Sequence, residues 1–137
     1  MSTATEKFNK KYTEVMKIIE KKFADLKALE KMLISSPRSI ANYVAKIPYG
    51  TEKSVKLMRR ELAEATNADN TCPLTCGIFL RIAIEASIEQ SNGAKPDLPF
   101  WREIHRNSSI IKKLPISDKY LTELRTSECL QFLSTKG

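Results

Sequence analysis

Residues 47–93, IPYGTEKSVKLMRRELAEATNADNTCPLTCGIFLRIAIEASIEQSNG, decide the fold. They read as a turn, a short helix, a break and a longer helix, the outline of a helix-turn-helix with an extended connection. Ile47, Pro48, Tyr49 and Gly50 signal the turn, because Pro fixes φ and Gly accepts conformations that other residues resist. Ser54 stands where it can cap a helix whose apolar residues Val55, Met58, Leu62 and Ala65 recur at three and four. Lys56, Arg59, Arg60, Glu61 and Glu64 take the other face. The second helix starts at Pro73, since Pro is tolerated at the first helical position, and stops at Gly93. Ile78, Ile82, Ala86 and Glu89 share one stripe, with Leu74, Phe79 and Ala83 beside it. This helix is therefore expected to be largely buried outside its first turn and the flank of Arg81 and Glu85. Gly77 weakens it by roughly 1 kcal/mol relative to Ala, which points to a close approach by a neighbouring element.

Upstream, Phe8, Tyr12, Val15, Ile19, Phe23, Leu26, Leu29 and Leu33 recur every three or four positions, a helical stripe with lysines on the remaining faces. No Gly or Pro interrupts it, so one helix, straight or bent, is expected. Residues 1–34 then form a helical extension and residues 35–137 one compact unit. Through residues 8–33 a second copy of the chain could pair, a possible homodimer. Ser36 caps and Pro37 opens a further helix with Ile40, Tyr43, Val44 and Ile47 inward.

Downstream, AKPDL is a loop between helix and strand. Residues 100–105 alternate and carry β-compatible side chains, and Asn107, Ser108 and Ser109 would turn them back toward Ile110 and Ile111. That hairpin would be a wing, with Trp101 facing inward and Arg102 outward. A closing helix begins after a cap at Ser117, with Tyr120, Leu121 and Leu124 at helical spacing. The expected fold is mostly α with a small β-hairpin wing, a winged helix-turn-helix.

The 137 residues suit one domain, and 42% hydrophobic with 28% charged residues is ordinary for a globular chain. No run of about 18 apolar residues is present and no signal-like start, so no membrane partner and a cytoplasmic place are expected, nucleoid-associated in a prokaryote. Three cysteines favour reduced thiols over a disulfide framework. A net charge of +7 concentrates polyanions near the surface. Joined to the helix-turn-helix outline, it points to duplex DNA. The expected contacts are Lys53, Lys56, Arg59 and Arg60 on the first helix, Leu74, Thr75 and Arg81 on the second, and Arg102 and Arg106 on the wing. Such contacts to phosphate read little sequence. Leu74 either packs or wedges between base steps, and packing is the expectation.

Cys72 and Cys76 lie four apart, and with His105 they fall short of the paired four-ligand spacing of a zinc site. No metal and no cofactor is expected. Cys76, in the first turn of its helix, is a candidate reactive thiol against the plainer reading of a small packing residue. Cys129 reads as core.

The order of IPYGTEKS, the helix pair, CPLTCGIF at 72–79 and PFWRE at 99–103 resembles the DNA-binding domain of O6-alkylguanine-DNA alkyltransferases. The resemblance spans roughly residues 37–130. It implies an alkyltransferase-like winged helix-turn-helix in which Cys76, Phe100 and Trp101 surround a lesion pocket. It also marks departures. Members of that family carry proline, acceptor cysteine, histidine and arginine in succession; here those places hold Pro99, Phe100, Trp101 and Arg102. Their arginine finger is Leu74 here, and a tyrosine of theirs is Val55. The resemblance therefore implies a non-enzymatic DNA-binding protein, a sensor of alkylated or otherwise altered bases, with two alternatives. One is alkyl transfer to Cys76; the other is a protein-interaction module on the same scaffold.

Overall fold

The computed structural model describes residues 3–105 and 107–130; Arg106, one of the expected contacts, lies outside them. The chain is mixed α/β, rich in helix, with one small sheet. Helix α4, Pro73–Ser91, runs through the middle. It is apolar nearly all round, burying Cys76, Leu80, Ala83, Ile84 and Ala86, as a helix with neighbours on several sides must be. Pro73 opens it. Asn92 at φ 54 and Gly93 at φ 88 close it, both in the left-handed region that ends helices.

Three further helices follow their sequence signals. In α2, Pro37–Ala45, the Ser36 hydroxyl accepts from Ser39 N at 3.2 Å and Ile40 and Val44 point into the core. In α3, Val55–Ala65, Ser54 accepts from Leu57 N at 3.0 Å, and Met58 and Ala63 are buried. In α5, Asp118–Ser127, Ser117 accepts from Tyr120 N at 3.1 Å, and Leu121 and Leu124 are buried. Phe100 and Trp101, edge to face at 5.4 Å between centroids, lie at the centre of the core that these helices share.

The N-terminal segment departs from the single helix expected over residues 5–33. Only α1, Ala4–Asn9, is helical, held by a Thr3–Glu6 capping box and docked on α4, where Glu89 accepts from Thr5 N at 2.8 Å. Strands β1, Val15–Ile18, and β2, Lys31–Ile34, then pair antiparallel, and β2 pairs in parallel with β3, Asn70–Thr71. The physical reason is tertiary. A three-to-four spacing is also met by short strands joined by a tight turn, here the Phe23–Leu26 bridge with Ala24 and Leu29 at positive φ. The backbone of β2 finds partners on β3 that a helix could not offer: Cys72 N donates to Leu33 O at 2.8 Å, and Lys31 N to the Asp69 carboxylate at 2.7 Å. Leu26, Met32 and Cys72 form a second small apolar cluster there. The stripe through which a second copy was expected to pair is therefore not a helical face.

Among the described residues, the expected wing hairpin is also absent from its place. Phe100–Arg102 is a 3-10 turn, and Ser109–Lys113 another. Phe100, Trp101 and Ile104 all point inward, a helical spacing, and Glu103 N and Ile104 N both donate to Phe100 O at 3.0 Å. Pro99 opens the turn as a proline opens a helix.

Candidate ligand cleft and nucleic-acid interface

Turn, helix and loop meet at one cleft. Lys53 N donates to Arg102 O at 3.1 Å, which fastens the approach to α3 against the Phe100 turn. The first turn of α3, the start of α4, residues 103–105 and residues 107–110 then line an open cleft of about 1020 Å³. Val55, Leu57, Leu80, Ile104 and Ile110 give it apolar walls. Its volume is at the upper end of the range of small-molecule pockets.

The charges around it are mostly spent. The Arg59 guanidinium, 7% exposed, makes two bonds to Asp25, at 2.7 and 3.0 Å, and a third to Thr71 O at 3.0 Å. It holds the Asp25 carboxyl below its ordinary range. Arg59, expected on DNA, is instead a clamp between the β1–β2 loop, α3 and β3. Lys53 pairs with Glu61 at 3.3 Å, and Arg125 with Glu52 at 2.6 Å.

Arg102, expected outward, also turns in. Nε and Nη2 bind the Glu128 carboxylate at 2.8 and 3.0 Å, and Nη1 donates to Ile47 O at 2.8 Å. Trp101 Nε1 and Gly50 N donate to the same carboxylate at 2.7 and 2.9 Å. Burial alone would raise the Glu128 carboxyl; the Arg102, Gly50 and Trp101 donors override it and hold it at about 2. A turn rather than a strand explains the change, because neighbours on a turn need not face opposite ways.

Glu103 has no such partners. It is 3% exposed, lines the cleft, and neither carboxylate oxygen has a hydrogen-bond partner. Burial pushes its carboxyl up to about 8. Sequence reasoning passed over it, although an acid between Trp101 and Ile104, on a turn whose other members are apolar, is the available signal. It also passed over Glu128, whose position gave none.

The expected pocket residues lie in the layer beneath. Cys76 and Phe100 are fully buried and Trp101 nearly so, and none of the three lines the cleft. Burial, with the Glu103 charge behind it, pushes the Cys76 thiol up to about 12. Cys129, expected in the core, is exposed, because φ 59 at the end of α5 turns it outward.

What remains outside is a ridge on α4. Leu74 is 64% exposed and Ile78 50%, one turn apart, so Leu74 does not pack as expected and Ile78 is not buried. Arg81 continues the ridge, paired with Glu85 at 2.8 Å. Gly77 has open space around the direction of a side chain, so no element of the fold requires it. Lys56 and Arg60 are exposed on α3, and Thr75 is half-buried. Among the described residues no three His, Cys, Asp or Glu side chains cluster to hold a metal ion, and no helix is long and apolar enough to cross a membrane. No family model, curated protein or solved structure matches the chain.

Proposed function

We propose that this chain is a non-enzymatic DNA-binding protein in which α3 and α4 act as a helix-turn-helix pair and the cleft beside them receives an altered base. The observation that carries the reading is the α4 ridge. Two large apolar side chains stand in water one turn apart, beside a glycine that lines the cleft and that the fold does not need. Lys56 and Arg60 on α3, with Arg81 paired to Glu85 on α4, supply positive charge on the same two helices. A bare stretch of helix with apolar projections suits close approach to a groove, where a wedge unstacks bases and cations hold phosphate. Alkyl transfer to Cys76 has less support, since a thiol shut from solvent and raised to about 12 offers little thiolate.

Titration of a labelled duplex with the intact chain at low salt tests this. Binding is expected. Leu74→Ala should weaken it, while stability stays within about 0.5 kcal/mol because an exposed side chain leaves no cavity. A chain that binds no duplex, or a Leu74→Ala variant of unchanged affinity, removes the reading.

A further inference from the structure

We propose that the free edge of β1 receives an extended acidic segment of a partner protein, paired antiparallel to residues 15–18 as a further strand of the sheet. β1 is an edge strand: β2 pairs with one side of it, and the sheet has no strand on the other. The ladder fixes which backbone groups face that open side. Ile19 N donates to Glu30 O at 3.1 Å and Ile19 O accepts from Leu29 N at 2.7 Å, so both polar groups of Ile19 point toward β2. Direction alternates along a strand. Those of Lys17 and Val15 therefore point the same way, and those of Met16 and Ile18 point outward. Outside the β1–β2 ladder, no backbone hydrogen bond among the described residues engages residues 14–18. The N–H and C=O of Met16 and of Ile18 are thus open to another strand.

The exposed side chains define what that strand carries. Met16 and Ile18 share one face, Val15 and Lys17 the other, and all four stand in solvent, Ile18 at 63% exposure. Of the nine large apolar side chains exposed among the described residues, five lie between Val15 and Leu29, so apolar exposure concentrates on this hairpin rather than scattering. Its charge is one-sided. Residues 10–22 hold five lysines and two glutamates, and one of the two, Glu14, already accepts from the Ser36 hydroxyl at 2.9 Å. None of the five lysines makes an ion pair among the described residues. A strand with an acid opposite Lys17 and apolar residues opposite Met16 and Ile18 answers both features, with backbone bonds for affinity and alternate side chains for specificity. A second copy of the chain brings the same lysines to the contact, and like charges across a ladder repel, so it is the poorer occupant. Nucleic acid answers the lysines but supplies no matching row of backbone donors and acceptors. The DNA-binding reading above is not needed for any of these steps.

The test uses the intact chain and a capped peptide that alternates valine with glutamate, followed by amide hydrogen exchange and by the anisotropy of a labelled form. Expected is slowed exchange at Met16 and Ile18, with Val15 and Lys17, already in the ladder, changed little. In antiparallel pairing the valines opposite Met16 and Ile18 make the bonds. N-methylation of the valines should therefore abolish binding, and N-methylation of the glutamates should leave it. Lys17→Glu, at an exposed side chain, should weaken this peptide about fivefold and favour its valine-lysine counterpart. Ile18→Pro removes an outward N–H and none of the ladder's, so the chain should stay folded by circular dichroism and lose the peptide. Exchange at Met16 and Ile18 that the peptide does not slow, or binding that survives methylation of the valines, overturns the proposal. A chain that sediments as a dimer, and as a monomer with Ile18→Pro, overturns the acidic partner in favour of a second copy. Slowed exchange at Met16 and Ile18 with duplex DNA and not with the peptide overturns it in favour of nucleic acid.

Discussion

Arg59 and Arg60 are neighbours in sequence and opposites in the fold. One points into the junction of α3 with β3 and spends its donors on Asp25 and Thr71; the other stands in solvent. Helical rotation of about 100° per residue separates them, and sequence alone does not say which side β3 covers. Arg102 and Glu128 show the same economy of charge. Their bidentate pair also satisfies the Trp101 indole and the Gly50 amide, so it joins the turn at residue 50, the Phe100 turn and the end of α5. Glu128→Gln should therefore cost about 3 to 5 kcal/mol at pH 7, because it leaves the guanidinium buried without its counter-charge. The pH dependence has a definite sign. A carboxyl held at about 2 when folded, against an ordinary 4.5, contributes stability that is present above 4.5 and lost as pH falls toward 2. In urea melts, the gap between wild type and Glu128→Gln should narrow from pH 6 to pH 3. A gap that stays constant would mean that the carboxylate charge is not what holds this junction.

At the scale of elements, α4 is where the local signals set both ends correctly, and Leu74, Gly77 and Ile78 are the exceptions along it. A glycine in a helix costs roughly 1 kcal/mol relative to alanine, and a Cβ there meets nothing within 4 Å. Gly77→Ala should therefore stabilise the chain by about 1 kcal/mol in thermal melts. If the ridge approaches a groove closely, the same methyl should weaken duplex binding. Stabilisation with unchanged duplex affinity would place the contact elsewhere. The helices α2 to α5 were legible because Ser36, Ser54 and Ser117 cap them and Pro37 and Pro73 open them, all local chemistry. The strands were not. Residues 15–18 and 31–34 acquire their structure from pairing with each other and with residues 70–71, so no signal within residues 5–33 carried it. The turn at Phe100–Arg102 was misread for a related reason: PFWRE alternates in polarity only if Trp101 is set apart from Phe100, and the core takes both. Of the cleft, the helix starts were legible; Lys53 was expected on phosphate, and Cys76, Phe100 and Trp101, expected around a pocket, do not line it. Glu103 was not singled out, since its isolation depends on which partners the fold withholds.

Across the whole molecule, the N-terminal segment is tied to the rest at several places: α1 docks on α4, Glu14 accepts from the Ser36 hydroxyl at 2.9 Å at the start of α2, Tyr12 packs on Phe79, and β2 bonds to β3. Arg59 adds another tie through Asp25. The consequence for function is that the net charge of +7 is not one uniform surface. Several cations near the cleft are committed to carboxylates, and the proposed DNA contact falls to a small exposed set. The salt dependence of duplex affinity counts that set, because each phosphate neutralised contributes a slope of about −0.9 in log K against log salt. The measurement that tests the central claim most directly is this slope for the wild-type chain and for Lys56→Ala with Arg60→Ala. The account predicts a negative slope for the wild type, lessened by about 1.8 in the double variant, with equal losses on unrelated duplex sequences and an unchanged melting temperature. A double variant with the wild-type slope and affinity would contradict it, and so would a wild-type chain whose affinity does not respond to salt.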